Sequence, residues 1–246
     1  MADPPLPAPF TWIAGHVAID LGDVRVRFTT RRGGTSTGPY ESLNLGGSTD
    51  DDPAAVQANH AAVAAALGYD AATRAWGRQV HGGEVQIRHT VPQPGEARLE
   101  VDGQVTALPG VAVTVMAADC LPVALAAPGA VAMLHGGWRG LAAGVLEAGV
   151  EAMRALGADG AIVAAIGPGA GPCCYEAGDE VHAALGHGVG RNVDLKAAAR
   201  QRLLAAGVAE VHDTARCTIC SDPQLFFSHR RDRGITGRQA GIAWRS

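Results

Sequence analysis

The sequence predicts a single α+β domain, with strands and helices mixed along one chain. Three observations lead there. The 246 residues are 47% hydrophobic and 18% charged, a balance that builds a folded core and excludes a disordered chain. Apolar runs of strand length, bounded by Gly and Pro, alternate with segments that carry helix caps. No repeat, low-complexity tract or long linker divides the sequence, so one domain is expected over residues 10–246, with 1–9 as a loose N-terminal arm.

Taken in order, Val24–Thr30 alternates as a strand and leads into a glycine-rich loop from Arg31-Arg32-Gly33-Gly34 to Gly38-Pro39-Tyr40. Asp51-Asp52-Pro53 offers an N-cap and a first-turn proline, and Gly68 a stop, so Pro53–Leu67 is a helix carrying His60. Ala75–Val80 and Glu84–Arg88 read as short strands flanking His81-Gly82-Gly83. Val101–Thr106 reads as a turn into a buried strand, Val111–Ala117. Pro128-Gly129 then turns Pro122–Ala127 back on Ala130–Leu134, and a turn centred there makes paired positions sum to about 257. Cys120 and His135 thereby become near-diagonal neighbours at one end of the ribbon. Gly136-Gly137-Trp138-Arg139-Gly140 follows, opening a helix over Leu141–Leu156 whose start could hold an anion. Ala161–Ile166 is a further strand, Asp179–Leu185 and Leu195–Ala206 are helices, and Phe226-Phe227 belongs to a core strand.

Charge and hydropathy remove several functions. Twenty Lys+Arg against 24 Asp+Glu give −4, so the chain has no global basic field for nucleic acid or anionic lipid. Val111–Leu134 is apolar, but Pro122, Pro128, Gly129 and a central Asp119 make it buried strands rather than a membrane span. The start Met1-Ala2-Asp3-Pro4-Pro5 lacks the basic and apolar regions of a secretory leader, so a cytoplasmic address is expected. Lys196 is the only lysine, a bias of arginine over lysine that fits a GC-rich genome.

Five cysteines are too few and too irregular for a disulfide scaffold. Cys217-x-x-Cys220 invites a zinc-ribbon reading, but its only other partners, Cys173-Cys174, are adjacent. These four are therefore expected to be structural thiols. His81, Cys120 and His135 all stand at turns or strand ends. Two imidazoles and a thiolate suit Zn²⁺ with a fourth position open, whereas the same residues could make Cys120 a nucleophile with a histidine base, or be ordinary core and loop residues. Counting argues against copper oxidase chemistry: nine histidines with no H-x-H pair fall short of a multinuclear centre.

Six ordered motifs then combine: Gln79-Val80-His81-Gly82, Asp102-Gly103-x-Val105-Thr106, Ala118-Asp119-Cys120-x-Pro122, His135-x-Gly137-Trp138-Arg139-Gly140, Gly167-Pro168 with Cys173-Cys174-Tyr175-Glu176, and Phe227-Ser228-His229-Arg230-Arg231 with Thr236-Gly237-Arg238. Together with Arg31-x-Gly33-Gly34 and Ser42-Leu43-Asn44-Leu45-Gly46, they resemble the laccase-domain family, also labelled polyphenol oxidase or peptidoglycan editing factor, whose members are described as purine nucleoside phosphorylases. Gly136 departs from the family's usual alanine. The resemblance implies mixed β-sheets packed as a sandwich between helical layers. It implies one zinc held by His81, Cys120 and His135, phosphorolysis of adenosine, inosine and methylthioadenosine, and some adenosine deamination. Arg139 is the leading phosphate ligand and Arg31 the second; Asn44, Gln79 and Trp138 complete the substrate-binding set. Asp119, beside a zinc ligand, is expected to orient an imidazole or accept a proton, and Glu176 to act as general acid/base. With few aromatic residues, Trp138, Tyr175, Phe226 and Phe227 are the rings available to a purine. Two other classes stay open: a zinc hydrolase editing peptidoglycan precursors, and a binding protein without turnover. The oligomeric state is not readable from the sequence.

Overall fold

The computed structural model describes residues 3–186 and 190–246. Along the chain run β1 (Thr11–Ile13), β2 (His16–Leu21), β3 (Val24–Phe28), α1 (Pro53–Leu67), β4 (Arg74–Ala75), β5 (Val85–Arg88), β6 (Gly103–Thr106), β7 (Ala112–Ala117), β8 (Leu121–Ala127), β9 (Ala130–Gly136), α2 (Trp138–Ala142), α3 (Val145–Ala155), β10 (Val163–Ile166), α4 (Asp179–Leu185), α5 (Leu195–Ala205), β11 (Glu210–Asp213) and β12 (Gln239–Arg245).

Two six-stranded sheets result, ordered β1-β2-β3-β12-β7-β4 and β11-β10-β8-β9-β6-β5. Both are mixed: β4 runs parallel to β7, β5 to β6 and β10 to β11, and the other pairs are antiparallel. Val17, Val26, Phe28 and Val115 of the first sheet meet Ala124, Val131, Met133 and Ala165 of the second in a shared core. Helix α1 covers the outer face of the first sheet through Val63 and Leu67 against Ile242 and Trp244. The helices α3 and α5 cover the second through Leu146, Val150 and Leu203. The sandwich between helical layers is as expected. Gly241 shows how close the sheets come: a Cβ there would lie 2.6 Å from Pro122 Cβ and 2.8 Å from Met133 Sδ.

Local signals placed several elements to the residue. Asp52 caps α1 by accepting the Ala54 N–H, and Gly68 closes it at φ 79°. In the β8–β9 ribbon Leu121 pairs with Gly136 and Pro122 with His135, the register the Pro128-Gly129 turn requires.

Four expectations are corrected. Val101–Thr106 is not a turn, because its last four residues form β6, which pairs with β9 and β5. The helix expected over Leu141–Leu156 starts earlier, at Trp138, and breaks at Gly144 (φ 85°), giving the short α2 and then α3. Of Ala75–Val80 only Ala75 is in a strand, as the second residue of β4, and Gln79 meets the neighbouring β7 through its side chain instead of its backbone. Phe226 and Phe227 are fully buried but lie outside any strand; the Gln239 side chain bonds both the N–H and the C=O of Phe227. At the N-terminus, Trp12 Nε1 donates to Pro4 O (2.9 Å) and Leu6 packs on the inter-sheet core. No helix among the described residues is long and apolar enough to cross a membrane.

Candidate metal centre and its cleft

The β8–β9 ribbon delivers Cys120 just before one strand and His135 near the end of the other, and the loop after β4 delivers His81. One ligand atom from each lies within 4.8 Å of the others. The two imidazole rings are 4.9 Å apart and inclined at 72°. Gly137 permits this approach: a Cβ there would sit 3.0 Å from Cys120 Sγ and 3.1 Å from His81 Cδ2.

Asp102 organises the cluster, a role the sequence reading missed. It is fully buried, and its carboxylate accepts the N–H groups of Val80 (3.0 Å), His81 (3.0 Å) and Gly82 (2.7 Å) together with His135 Nδ1 (2.7 Å). Burial opposes its ionisation, but His135 and the backbone donors hold the carboxyl below its ordinary range. An ionised carboxylate only accepts, so His135 carries its proton on Nδ1 and presents Nε2 to the cluster. The same bonds hold His81 at φ 61°, a backbone conformation rare for a residue with a Cβ. Reading Val101–Thr106 as a strand would have exposed this pairing, because the β6–β9 register that matches Gly103 with Leu134 carries Asp102 to His135.

Electrostatically, Cys120 and His135 push each other toward their charged forms. Burial pushes the Cys120 thiol up, but the His135 charge and hydrogen bonds from both histidines outweigh it and bring the group to about 6. Burial likewise pulls His135 down, while the Cys120 thiolate and Asp102 raise it to about 9.

A cleft of about 450 Å³ lies beside the cluster, lined by Trp138, Arg139, Tyr175, Glu176, Arg191 and Arg230 among others. Arg139 is exposed and stacks over the Trp138 ring at 4.4 Å, and Arg230 covers Tyr175 at 5.1 Å while donating to Glu176 O (2.9 Å). Burial, and then the Cys120 charge, raise the Tyr175 phenol, which keeps its proton. Arg238 belongs to the same neighbourhood: burial lowers its guanidinium, and the Cys120 and Asp119 anions oppose the drop.

The remaining predicted site residues are placed as follows. Asp119 orients no imidazole; its carboxylate accepts Thr218 Oγ1 (2.6 Å) and Arg230 N (2.7 Å), so it fixes the arginine loop beside Cys120. Asn44 is fully buried, with its amide spent on Thr49, Asp51, Gly46 N and Arg238 N, and it therefore positions Arg238 rather than meeting a substrate. Gln79 bonds both the N–H and the C=O of Met116 and anchors the His81 loop to β7. Arg31 donates to Glu41 O and Pro223 O and lies over Phe227 at 4.3 Å, so its guanidinium is committed to joining its loop to the 223–227 segment. Glu176 stands exposed at the cleft rim, paired with Arg191 (2.9 Å). Since α2 is only five residues long, its start adds little dipole to Arg139.

A second cluster was not expected. The Sγ atoms of Cys173, Cys174, Cys217 and Cys220 all lie within 4.8 Å of one another, so the adjacent pair does converge on the C-x-x-C pair.

The chain matches the family model described as multi-copper polyphenol oxidoreductase laccase over residues 25–246. A purine nucleoside phosphorylase of Streptomyces griseus is 43% identical over 239 residues, covering 91% of this chain and 95% of that protein. One from Mycobacterium tuberculosis is 41% identical over 248 residues, covering 93% and 97%. Among solved structures, YlmD from Geobacillus stearothermophilus superposes with a TM-score of 0.88 at 34% identity, covering 97% of this chain and 99% of its own. The hypothetical protein YfiH of Bacillus licheniformis gives 0.90 at 30% identity, covering 98% and 100%.

Proposed function

Since the chain belongs to the multi-copper polyphenol oxidoreductase laccase family, we propose that it is a zinc-dependent purine nucleoside phosphorylase of that family, acting on adenosine, inosine and methylthioadenosine, with adenosine deamination as a side activity. One observation carries the reading: the chain runs from the His81–Cys120–His135 cluster directly into Trp138 and Arg139, which line a cleft together with Tyr175 and Arg230.

The donor set fits zinc. Two imidazoles and a thiolate, one imidazole oriented by a buried carboxylate, leave a fourth position open, and zinc bound there supplies Lewis acidity and a means of ionising water. Multinuclear copper draws on more histidines than the two that converge among the described residues.

In phosphorolysis a phosphate oxygen bonds to the ribose anomeric carbon, the glycosidic C–N bond breaks, and the purine leaves with a proton. Arg139 and Arg230 would hold phosphate, a role supported by each guanidinium being carried on an aromatic ring and so partly ordered before binding. Trp138 and Tyr175 supply the apolar surface for a base. Tyr175 and the Arg191-paired Glu176 both line the cleft and are the candidates to pass a proton to the leaving purine.

Metal analysis of the purified chain, combined with product identification from inosine plus phosphate and from adenosine, tests the proposal. Zinc together with hypoxanthine and ribose 1-phosphate is the expected result. Retention of both metal at this site and phosphorolysis by Cys120→Ala would sink the assignment. The closeness of Cys120 Sγ to both imidazoles, with its thiol lowered by His135, supports a second reading, a Cys120-nucleophile hydrolase. Alkylation would then abolish activity in metal-free protein, whereas the zinc enzyme loses activity on chelation and regains it with zinc. Peptidoglycan precursors carrying a wrong first amino acid, assayed beside inosine, separate phosphorolysis from editing.

A further inference from the structure

We infer that Cys173, Cys174, Cys217 and Cys220 form a second metal site, a closed tetrathiolate for one zinc-class divalent ion, which staples two loops behind the cleft. All pairwise distances among the four sulfurs are 4.8 Å or less. A tetrahedral ion with metal–sulfur bonds of about 2.3 Å sets its four sulfurs about 3.8 Å apart, so the separations are those of a cage needing only a small contraction. Two disulfides would bring the sulfurs together in pairs and would not require all four to converge; Cys173 and Cys220 stand 3.5 Å apart, beyond a bond of about 2.05 Å. An iron–sulfur cluster interposes several metal atoms and spreads its cysteines wider.

The backbone is arranged for the task. Cys217-Thr218-Ile219-Cys220 forms a turn closed by Ser221 N to Cys217 O (3.0 Å). Gly171 N donates to Cys217 Sγ (3.3 Å), and the Ile219 and Cys220 amides face the same sulfur, the kind of N–H support that a metal-bound thiolate accepts. On the other side, Cys174 N and Tyr175 N both bond Gly171 O, a tight turn that aims two adjacent side chains at one point. The turns are stitched by Gly169 N to Arg216 O (3.2 Å) and Thr218 N to Gly169 O (3.0 Å). Cys173 and Cys220 are exposed and the other two half-buried, so an ion can enter from solvent.

Four thiolates fill four positions, which makes the site structural. Its placement gives it a positioning role: Thr218 holds Asp119 Oδ1, Ala170 N holds Asp119 O (2.7 Å), and Tyr175 directly follows Cys174. Both loops that position the arginine segment and the cleft ring are thus tied to the ion.

Cobalt(II) binding to the full chain carrying Cys120→Ser tests this, because the only other thiolate centre is then removed and the result does not depend on phosphorolysis. One cobalt per chain with intense thiolate charge-transfer bands, displaced by one equivalent of zinc, is expected, and zinc should protect four cysteines from alkylation. Adding Cys217→Ser should abolish the bands. Absence of thiolate–cobalt bands, free alkylation of all four cysteines in the presence of zinc, or their recovery as two disulfides in freshly purified protein would each overturn the site. The protection measurement needs no second substitution, so it decides the matter even if the Cys217 variant does not fold.

Discussion

The two sulfur-bearing clusters of this fold are built from opposite materials. His81, Cys120 and His135 hang from strand ends and one strained loop, the two histidines fixed by a buried carboxylate, and they offer three ligands with a fourth place open. The four cysteines sit on two part-exposed turns held mostly by backbone hydrogen bonds, and they offer four ligands with no place open. Rigid support and an open position suit chemistry; a closed set of thiolates suits cross-linking of segments that bury little apolar surface. Cys120 lies next to Asp119, which the cysteine turn holds, so the closed site sets the geometry around the open one.

The comparison can be broken at several points. The largest effect is expected at Lys196, which is nearly buried and donates to Asp213 (2.6 Å); Asp213 also accepts Ala215 N, two residues before Cys217. Lys196→Met leaves that carboxylate uncompensated and should cost about 3–5 kcal/mol, lowering Tm by about 6–20 °C in a thermal scan. Acid comes next and separates global unfolding from metal loss at either cluster. His16 Nδ1 accepts Thr30 N–H (3.1 Å), and burial holds its pKa down at about 4. Below pH 6.5 the unfolded chain takes up the proton first, so the His16 contribution is full above 6.5 and is lost between there and about 4, roughly 3 kcal/mol, while His60, held at about 3 by burial and Arg74, extends the fall to lower pH. Urea titrations across that range should show the fall, and His16→Gln should make it shallower by the His16 share, leaving that of His60.

Asp102→Asn is the sharper cut between the clusters. Metal affinity at His81–Cys120–His135 should drop about 10–100-fold while the cysteine site keeps its own ion, as read by competition with a chromophoric chelator. An equal loss at both would show that the two sites are one cooperative unit. The smallest effect is expected at the cleft: Arg139→Ala should raise the KM for phosphate about 10-fold with little change for the nucleoside. Equal shifts in both would remove Arg139 from phosphate binding.

Where a structural signal is local, it was legible. Asp52, Pro53 and Gly68 bound α1 because capping acts within one turn, and Pro128-Gly129 set the ribbon register that brings Cys120 and His135 together. Strand β6 was read as a turn because Gly103-Gln104-Val105-Thr106 is short and half polar, and only its neighbours β5 and β9 make it a strand. Strand β12 was missed altogether, although it lies centrally in its sheet. Its Gly241 lowers local strand preference, and the gain that offsets this is close packing on Pro122 and Met133 from the other sheet. Ring-shaped motif residues were easier to find than the carboxylate that orients them, since Asp102 acts through a register that no nearby residue reveals.

By itself the sequence determined the chain's class, its capped helices, its central ribbon and, through ordered motifs, its family and the three residues most suited to a metal. Tertiary structure alone decided that Asp102 orients His135, that Asn44, Gln79 and Arg31 are spent on their own scaffold, and that two adjacent cysteines meet a pair more than forty residues away. The physical reason is range. Caps, turns and periodicity are settled by neighbours in the chain, whereas hydrogen-bond saturation and ligand convergence depend on which distant backbone groups the packed sheets bring within about 3 Å.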